Sequence, residues 1–180
     1  MILEKKIEYK QAKVLFSKEK LDERIKVLGA EITRDYKGKD LVVVGILKGS
    51  FIFMADLVRA IDLPLQVDFL GLSSYGDETS TSGVVKITND LSKPIDHKHV
   101  LIVEDIIDTG LTMQYLLEFL KTRSPSSVKI CALLEKPDNA KTKIDIAYKG
   151  FTIPNEFVVG YGLDYAGLYR NLAYIGVLGA

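Results

Sequence analysis

With 180 residues and 20.0 kDa the chain is long enough for one domain with a full core, and at 47% hydrophobic and 27% charged it has globular rather than disordered or fibrous composition. Its 24 basic and 24 acidic side chains form no long run of one sign, which argues against a nucleic-acid binder or a membrane-surface protein. A single cysteine, Cys131, excludes an internal disulfide framework; the charged stretch 1–10 is no signal peptide, and no apolar run approaches the roughly 20 residues of a membrane span, so a soluble, cytoplasmic protein is expected.

Residues 7–9 are expected as a short strand or arm. Ser17 is placed to cap a helix reaching about residue 36, with Leu21, Ile25, Leu28 and Ile32 on one stripe. Residues 41–46 read as a buried strand. Lys48, Gly49 and Ser50 follow directly and open a helix over 51–61. A cation and a glycine beside a helix N-terminus make a nest for pyrophosphate, although the same residues also suit an ordinary capped turn. Residues 66–72 form the next strand. The eleven residues 73–83 are small, polar and glycine-containing, which predicts a mobile loop or hairpin connection before a return strand at 84–88. His97 and His99 have no other ligand type nearby and read as surface residues.

The stretch 99–112 is the most informative. Val100, Leu101, Ile102 and Val103 read as a strand buried on both faces, hence part of a parallel sheet. Glu104 and Asp105 end the apolar run, Asp108 follows, and Thr109-Gly110-Leu111-Thr112 leads into an amphipathic helix over 113–123. Free N–H groups and hydroxyls at a helix N-terminus suit a phosphate monoester, and Gly110 lets the backbone approach it closely. Adjacent acids in extended chain point to opposite sides. They could span a diol, or hold a hydrated Mg²⁺ and a hydroxyl together. Phosphate cradle and diol-binding acids together describe a site for a ribose 5-phosphate. The alternative is a helix-capping cluster; the full string after a buried strand favours the site.

Beyond it, residues 127–135 form another strand, with Cys131 buried and inert. Short strands are expected at 144–148 and 151–153. Residues 157–165 read as a core strand with aromatic ends, and 172–180 as an apolar tail packed on the fold or on a neighbouring subunit.

The run Val-Leu-Ile-Val-Glu-Asp-Ile-Ile-Asp-Thr-Gly-Leu-Thr resembles the phosphoribosyl-pyrophosphate signature of the type I phosphoribosyltransferases. From about residue 45 to 177 the chain is similar to the hypoxanthine (hypoxanthine-guanine) branch. The resemblance implies an α/β phosphoribosyltransferase fold over 1–180, with a mainly parallel sheet flanked by helices. It also implies a small hood over the base pocket, built from the N- and C-terminal segments. Glu104 and Asp105 would bind the ribose hydroxyls and Mg²⁺, Thr109 to Thr112 the 5-phosphate, and Asp108 would be the general base near purine N7. Lys48, Gly49 and Arg170 would meet pyrophosphate, with the Lys48–Gly49 peptide commonly cis in the family. Ser74 and Tyr75 would lie on the lid, 73–83. Lys136 would select a 6-oxopurine, Phe157 stack on the base, Val158 bond its edge, Leu163 line the pocket and Asp164 hold a second Mg²⁺ through water. One departure stands out: a family arginine on the pyrophosphate is Ala140 here, with Lys141 beside it.

The reaction so implied is transfer of the 5-phosphoribosyl group from phosphoribosyl pyrophosphate to N9 of hypoxanthine or guanine, in a homodimer or homotetramer without nucleic-acid or membrane partners. The rival is a regulator that uses this fold to bind RNA.

Overall fold

The computed structural model describes residues 11–74 and 85–179. In chain order its elements are β1 (Lys13–Phe16), α1 (Lys18–Asp35), β2 (Leu41–Leu47), α2 (Phe51–Ala60), β3 (Gln66–Ser74), β4 (Val85–Asn89), β5 (His99–Ile107), α3 (Leu111–Lys121), β6 (Ser127–Glu135), β7 (Tyr148–Thr152), β8 (Val158–Val159) and β9 (Ile175–Val177). Among the described residues they form a six-stranded sheet of order β4-β3-β2-β5-β6-β7 and a three-stranded sheet of order β1-β9-β8.

The large sheet is parallel except at the β3–β4 hairpin. Its central strands are apolar on both sides because helices cover both faces. Val43, Leu101, Val103, Cys131 and Leu133 pack with α1 and α2; Val44, Ile102, Ile130 and Ala132 pack with α3. α1 begins where Ser17 Oγ accepts the Lys20 N–H at 3.4 Å, and it buries the expected stripe of Leu21, Ile25, Leu28 and Ile32. Gly29 sets how closely α1 and α2 approach, since a Cβ there would fall 2.4 Å from the Ala60 carbonyl oxygen. Among the described residues, no helix is long and apolar enough to cross a membrane.

The small sheet is antiparallel and joins distant parts of the chain, with Lys13 opposite Val177 and Val177 opposite Val158. The segment after Leu172 therefore packs onto the fold through β9.

Several expectations change. The strand begun by Val100 to Val103 continues through the acids, so Glu104 and Asp105 lie within β5. No strand forms at 144–147; Tyr148–Thr152 is one strand, β7. Ile144 and Ile146 do turn towards the core around α3, which is the alternation the sequence shows, but the chain just before them bonds to a loop: Lys141 and Thr142 donate to the Thr109 carbonyl at 2.9 and 3.3 Å. His99 is half-buried rather than a surface residue, with Nδ1 2.7 Å from Ser127 Oγ on the neighbouring strand. Residues 7–9 lie outside the described residues.

Candidate active site

The site begins at the carboxyl end of β5, where open α/β sheets bind ligands. Pairing with β6 carries β5 through Glu104 to Ile107, and Asp108 to Gly110 then turn into α3. Gly110 has φ +79° and takes the N-cap position, so the cap residue has no side chain to offer α3, and among the described residues only Thr109 Oγ1 reaches its first N–H, that of Leu111, at 3.5 Å. That terminus presents its positive end to a hollow of about 120 Å³ lined by Glu104, Asp108, Thr109, Gly110, Thr112 and Met113, with Leu111 opening the helix. A Cβ on Gly110 would fall 2.8 Å from the Thr142 carbonyl oxygen, so the segment after β6 packs directly on this turn.

The acids are electrostatically expensive where they stand. Glu104 Oε2 and Asp108 Oδ1 are shielded from solvent and have no hydrogen-bond partner among the described residues. Burial, and then the neighbouring Asp105, push the Glu104 carboxyl well above its ordinary value of 4.5. Burial also raises Asp105, against the pull of the Ile106 N–H and, more weakly, of Arg170. Two carboxyls crowded together with an orphaned oxygen are prepared for a cation or hydroxyl donors.

Lys48, Gly49 and Ser50 link β2 to α2 beside these acids. A Cβ on Gly49 would lie 1.7 Å from Asp105 Oδ2. Ser50 is fully buried and its Oγ donates to the Ile46 carbonyl at 2.7 Å. The cis peptide in this turn is Leu47–Lys48, one residue earlier than expected; β2 still pairs through Leu47 to Gly71, so the turn starts at that bond.

On the other side of Asp108 is a cavity of about 360 Å³ lined by Ile107, Asp108, Lys136, Pro137, Lys141 and Ile144, among others. Lys136 is only 8% exposed, and its N–H donates to the Ile107 carbonyl at 2.9 Å, tying the end of β6 to that of β5. Glu135 pairs instead with Lys149 at 2.7 Å. Ala140 and Lys141 line the same cavity, Lys141 with an exposed side chain.

Phe157 is 53% exposed and meets Tyr165 edge-on, with ring centroids 5.7 Å apart; Val158 and Leu163 are buried. The turn before Phe157 is tied to the one after Lys136 by Asn139 Nδ2, which donates to Asn155 Oδ1 at 2.8 Å. Asp164 Oδ1 pairs with Arg170 Nη2 at 2.6 Å, and Oδ2 accepts the Gly167 N–H at 2.8 Å. The other arm of Arg170, Nη1, donates to the Gly162 carbonyl at 2.6 Å. Arg170 is thus committed to its own loop. Ser74 ends β3, its backbone paired with Val85, whereas Tyr75 and most of the expected lid lie outside the described residues.

Gly162 joins the site although the sequence reading passed over it. Its φ is +104°, and a Cβ there would fall 2.1 Å from the Gly49 carbonyl oxygen. The available signal was a glycine on each side of Tyr161 inside an otherwise apolar run.

Residues 13–166 match the model of the phosphoribosyl transferase domain family. A hypoxanthine-guanine phosphoribosyltransferase of Streptococcus pneumoniae is 54% identical over 166 residues, covering 92% of each chain. A bifunctional TilS/HprT protein of Listeria innocua is 52% identical over 166 residues, and the chain spans 26% of its length. The crystal structure of a hypoxanthine phosphoribosyltransferase from Staphylococcus aureus superposes with a TM-score of 0.90 at 50% identity, covering 93% of this chain and 91% of that one.

Proposed function

Since the chain belongs to the phosphoribosyltransferase family, we propose that it transfers the 5-phosphoribosyl group of phosphoribosyl pyrophosphate to N9 of hypoxanthine or guanine, giving the nucleoside monophosphate and pyrophosphate. The observation that carries this reading is the pair Glu104 and Asp105, crowded towards the end of β5 beside the N-terminus of α3, whose cap position is a glycine. It is an arrangement for a sugar diol next to a phosphate.

In this reading Thr109 to Thr112 take the 5-phosphate, and Glu104 and Asp105 accept hydrogen bonds from the ribose hydroxyls. The base occupies the cavity between Asp108 and Lys136. The Lys136 ammonium donates to the 6-oxo group; adenine presents an amino group there, donor against donor. Phe157 offers a face for stacking, and the backbone of Val158 and the side chain of Leu163 complete the edge of the pocket. As N9 bonds to C1′, the bond from C1′ to the pyrophosphate oxygen breaks, and the proton on N7 passes to the Asp108 carboxylate. Lys48 and the backbone at Gly49 meet the departing pyrophosphate, and Arg170 reinforces that side by holding Asp164 and Gly162.

The donor set fits Mg²⁺. Glu104 and Asp105 are hard oxygen donors that repel each other, and Glu104 Oε2 lacks a partner among the described residues. Among the described residues no three acidic, histidine or cysteine side chains converge into a self-sufficient metal cluster, so substrate oxygens would complete the shell, with Asp164 serving the pyrophosphate side. When bound, Mg²⁺ would neutralise the pyrophosphate and make it a better leaving group. Assembly as a homodimer or homotetramer in the cytoplasm belongs to the same reading. The rival RNA-binding regulator has no observation in its favour.

The deciding experiment offers hypoxanthine, guanine, xanthine, adenine and uracil separately to the purified protein with phosphoribosyl pyrophosphate and Mg²⁺, and follows nucleotide formation. Turnover of hypoxanthine or guanine but not adenine is expected. Turnover of uracil alone would move the protein to another branch, and a folded protein that binds substrate without turning over any base would sink the transferase reading.

A further inference from the structure

Building on the transferase reading, we propose that Tyr161 is a positioning residue for the pyrophosphate end of the site, acting through Asp56 on α2. Gly160 and Leu163 exchange backbone hydrogen bonds at 3.0 and 3.1 Å around a turn whose two central residues, Tyr161 and Gly162, have φ of +51° and +104°. Glycine, asparagine or aspartate is the ordinary choice for such positions, because a left-handed backbone crowds a larger side chain. A buried tyrosine there calls for a reason, and the ring alone does not supply one, since phenylalanine would fill the same space. What tyrosine adds is a hydroxyl, and that hydroxyl donates to Asp56 Oδ2.

The bond joins two segments that meet again within the site. α2 is the helix opened by the Lys48–Ser50 turn, and Gly162 lies against the Gly49 carbonyl with no room for a Cβ. Gly49 backs onto Asp105, while the Gly162 carbonyl accepts from Arg170, whose other arm holds Asp164. Tyr161 and Asp56 therefore fix the spacing at which the pyrophosphate turn, Asp105 and the Asp164–Arg170 pair face one another. On the far side Asp56 Oδ1 pairs with Arg59, whose side chain lies out in solvent. Burial, and then the adjacent Asp56, push the phenol's pKa upwards, so the hydroxyl remains a donor through the working pH range.

The test uses the full chain and four variants. Tyr161→Phe keeps the ring and loses the bond; Asp56→Ala removes the acceptor; Asp56→Asn retains one; Arg59→Ala is a control remote from substrate. Pyrophosphate binding in the presence of Mg²⁺ is measured by calorimetry, and KM is measured separately for phosphoribosyl pyrophosphate, pyrophosphate and hypoxanthine. Tyr161→Phe and Asp56→Ala should weaken pyrophosphate binding by roughly tenfold, the loss of one buried hydrogen bond, and raise KM for phosphoribosyl pyrophosphate and pyrophosphate in step. KM for hypoxanthine should stay within about twofold, and Asp56→Asn and Arg59→Ala should remain near wild type on the same measures. Unchanged pyrophosphate affinity in Tyr161→Phe, or a parallel rise in the hypoxanthine KM, would overturn the proposal. If Tyr161→Phe fails to fold, the contrast between Asp56→Ala and Asp56→Asn decides it. Weaker pyrophosphate binding in a protein that turns over no base would uphold the positioning role and remove the transferase reading; a wild-type chain that binds no pyrophosphate would remove both.

Discussion

Asp105 Oδ2 occupies the place where a side chain at residue 49 would begin, 1.7 Å from a Cβ built on Gly49. The turn after β2 and the acids of β5 are therefore one packed unit, and Gly49 is required by space rather than by backbone angle. In Gly49→Ala the carboxylate or the turn must shift. Displacement of about 1 Å in a group that orients substrate can cost on the order of 100-fold in rate. We expect kcat/KM for phosphoribosyl pyrophosphate to fall by that order, with overpacking costing about 1–3 kcal/mol of stability. Steady-state kinetics beside thermal melts check it; near-wild-type kinetics would show that Asp105 does not need its present position.

Glu104 gives a prediction about stability and pH. Its carboxyl holds its proton more tightly in the folded chain than in the unfolded one, through burial first and then Asp105. A group raised in this way favours folding below its unfolded value, here about 4.5, and loses that contribution as pH rises through its folded value. Glu104→Gln removes the charge and keeps the shape. The variant should melt higher than wild type at about pH 8, by a few degrees, and the gap should close towards about pH 4. It should also lose activity, since the diol and cation lose a charged partner. Melts across pH without substrate are the measurement, and a gap that widens towards acid would contradict the sign.

The sequence made the centre of this site legible and left its edges dark, for identifiable reasons. β5, α3 and β6 carry strong signals, and the acids fall at the end of an apolar run, so Glu104, Asp105 and Asp108 could be set between β5 and α3 before any coordinates; Lys136 could be set only at the end of β6, its role coming from the family resemblance alone. The small sheet could not be read, because β1 pairs with β9 from the opposite end of the chain and each is only a few residues long. Residues 144–148 have strand-like alternation, yet just before them Lys141 and Thr142 spend their N–H groups on the Thr109 carbonyl, a choice made by the tertiary fold. Gly162 and Asp56 were missed because their roles arise only when two turns and a helix come together.

Lys136 should control which base is accepted. It is almost fully buried, its backbone is tied to Ile107, and Pro137 follows at once in a short 3-10 turn, so its place beside Asp108 is well fixed. Lys136→Met keeps the length and apolar stem but removes every donor. A site built to bond a substrate oxygen loses heavily when that bond goes, so kcat/KM for hypoxanthine and guanine should drop roughly 100-fold while adenine gains in relative terms. Competition assays with both bases measure the ratio directly. An unchanged preference for hypoxanthine over adenine would take the selecting role away from Lys136.

Asp108 lines both the hollow at the start of α3 and the cavity beside Lys136, the spaces proposed for the 5-phosphate and the base. One of its oxygens is buried without a partner among the described residues, an arrangement that costs free energy unless a ligand completes it. A purine N7–H would complete it in the ground state, and the same contact would carry the proton away as N9 bonds to C1′. Asp108→Asn keeps the shape and the carbonyl acceptor but cannot take up that proton. kcat should therefore fall by about 10²–10⁴-fold, while KM for phosphoribosyl pyrophosphate and the calorimetric affinity for the nucleotide product change little. A matching loss in kcat and in binding would make Asp108 a binding group only. Turnover equal to wild type with intact binding would leave the N7 proton to solvent and end the general-base assignment.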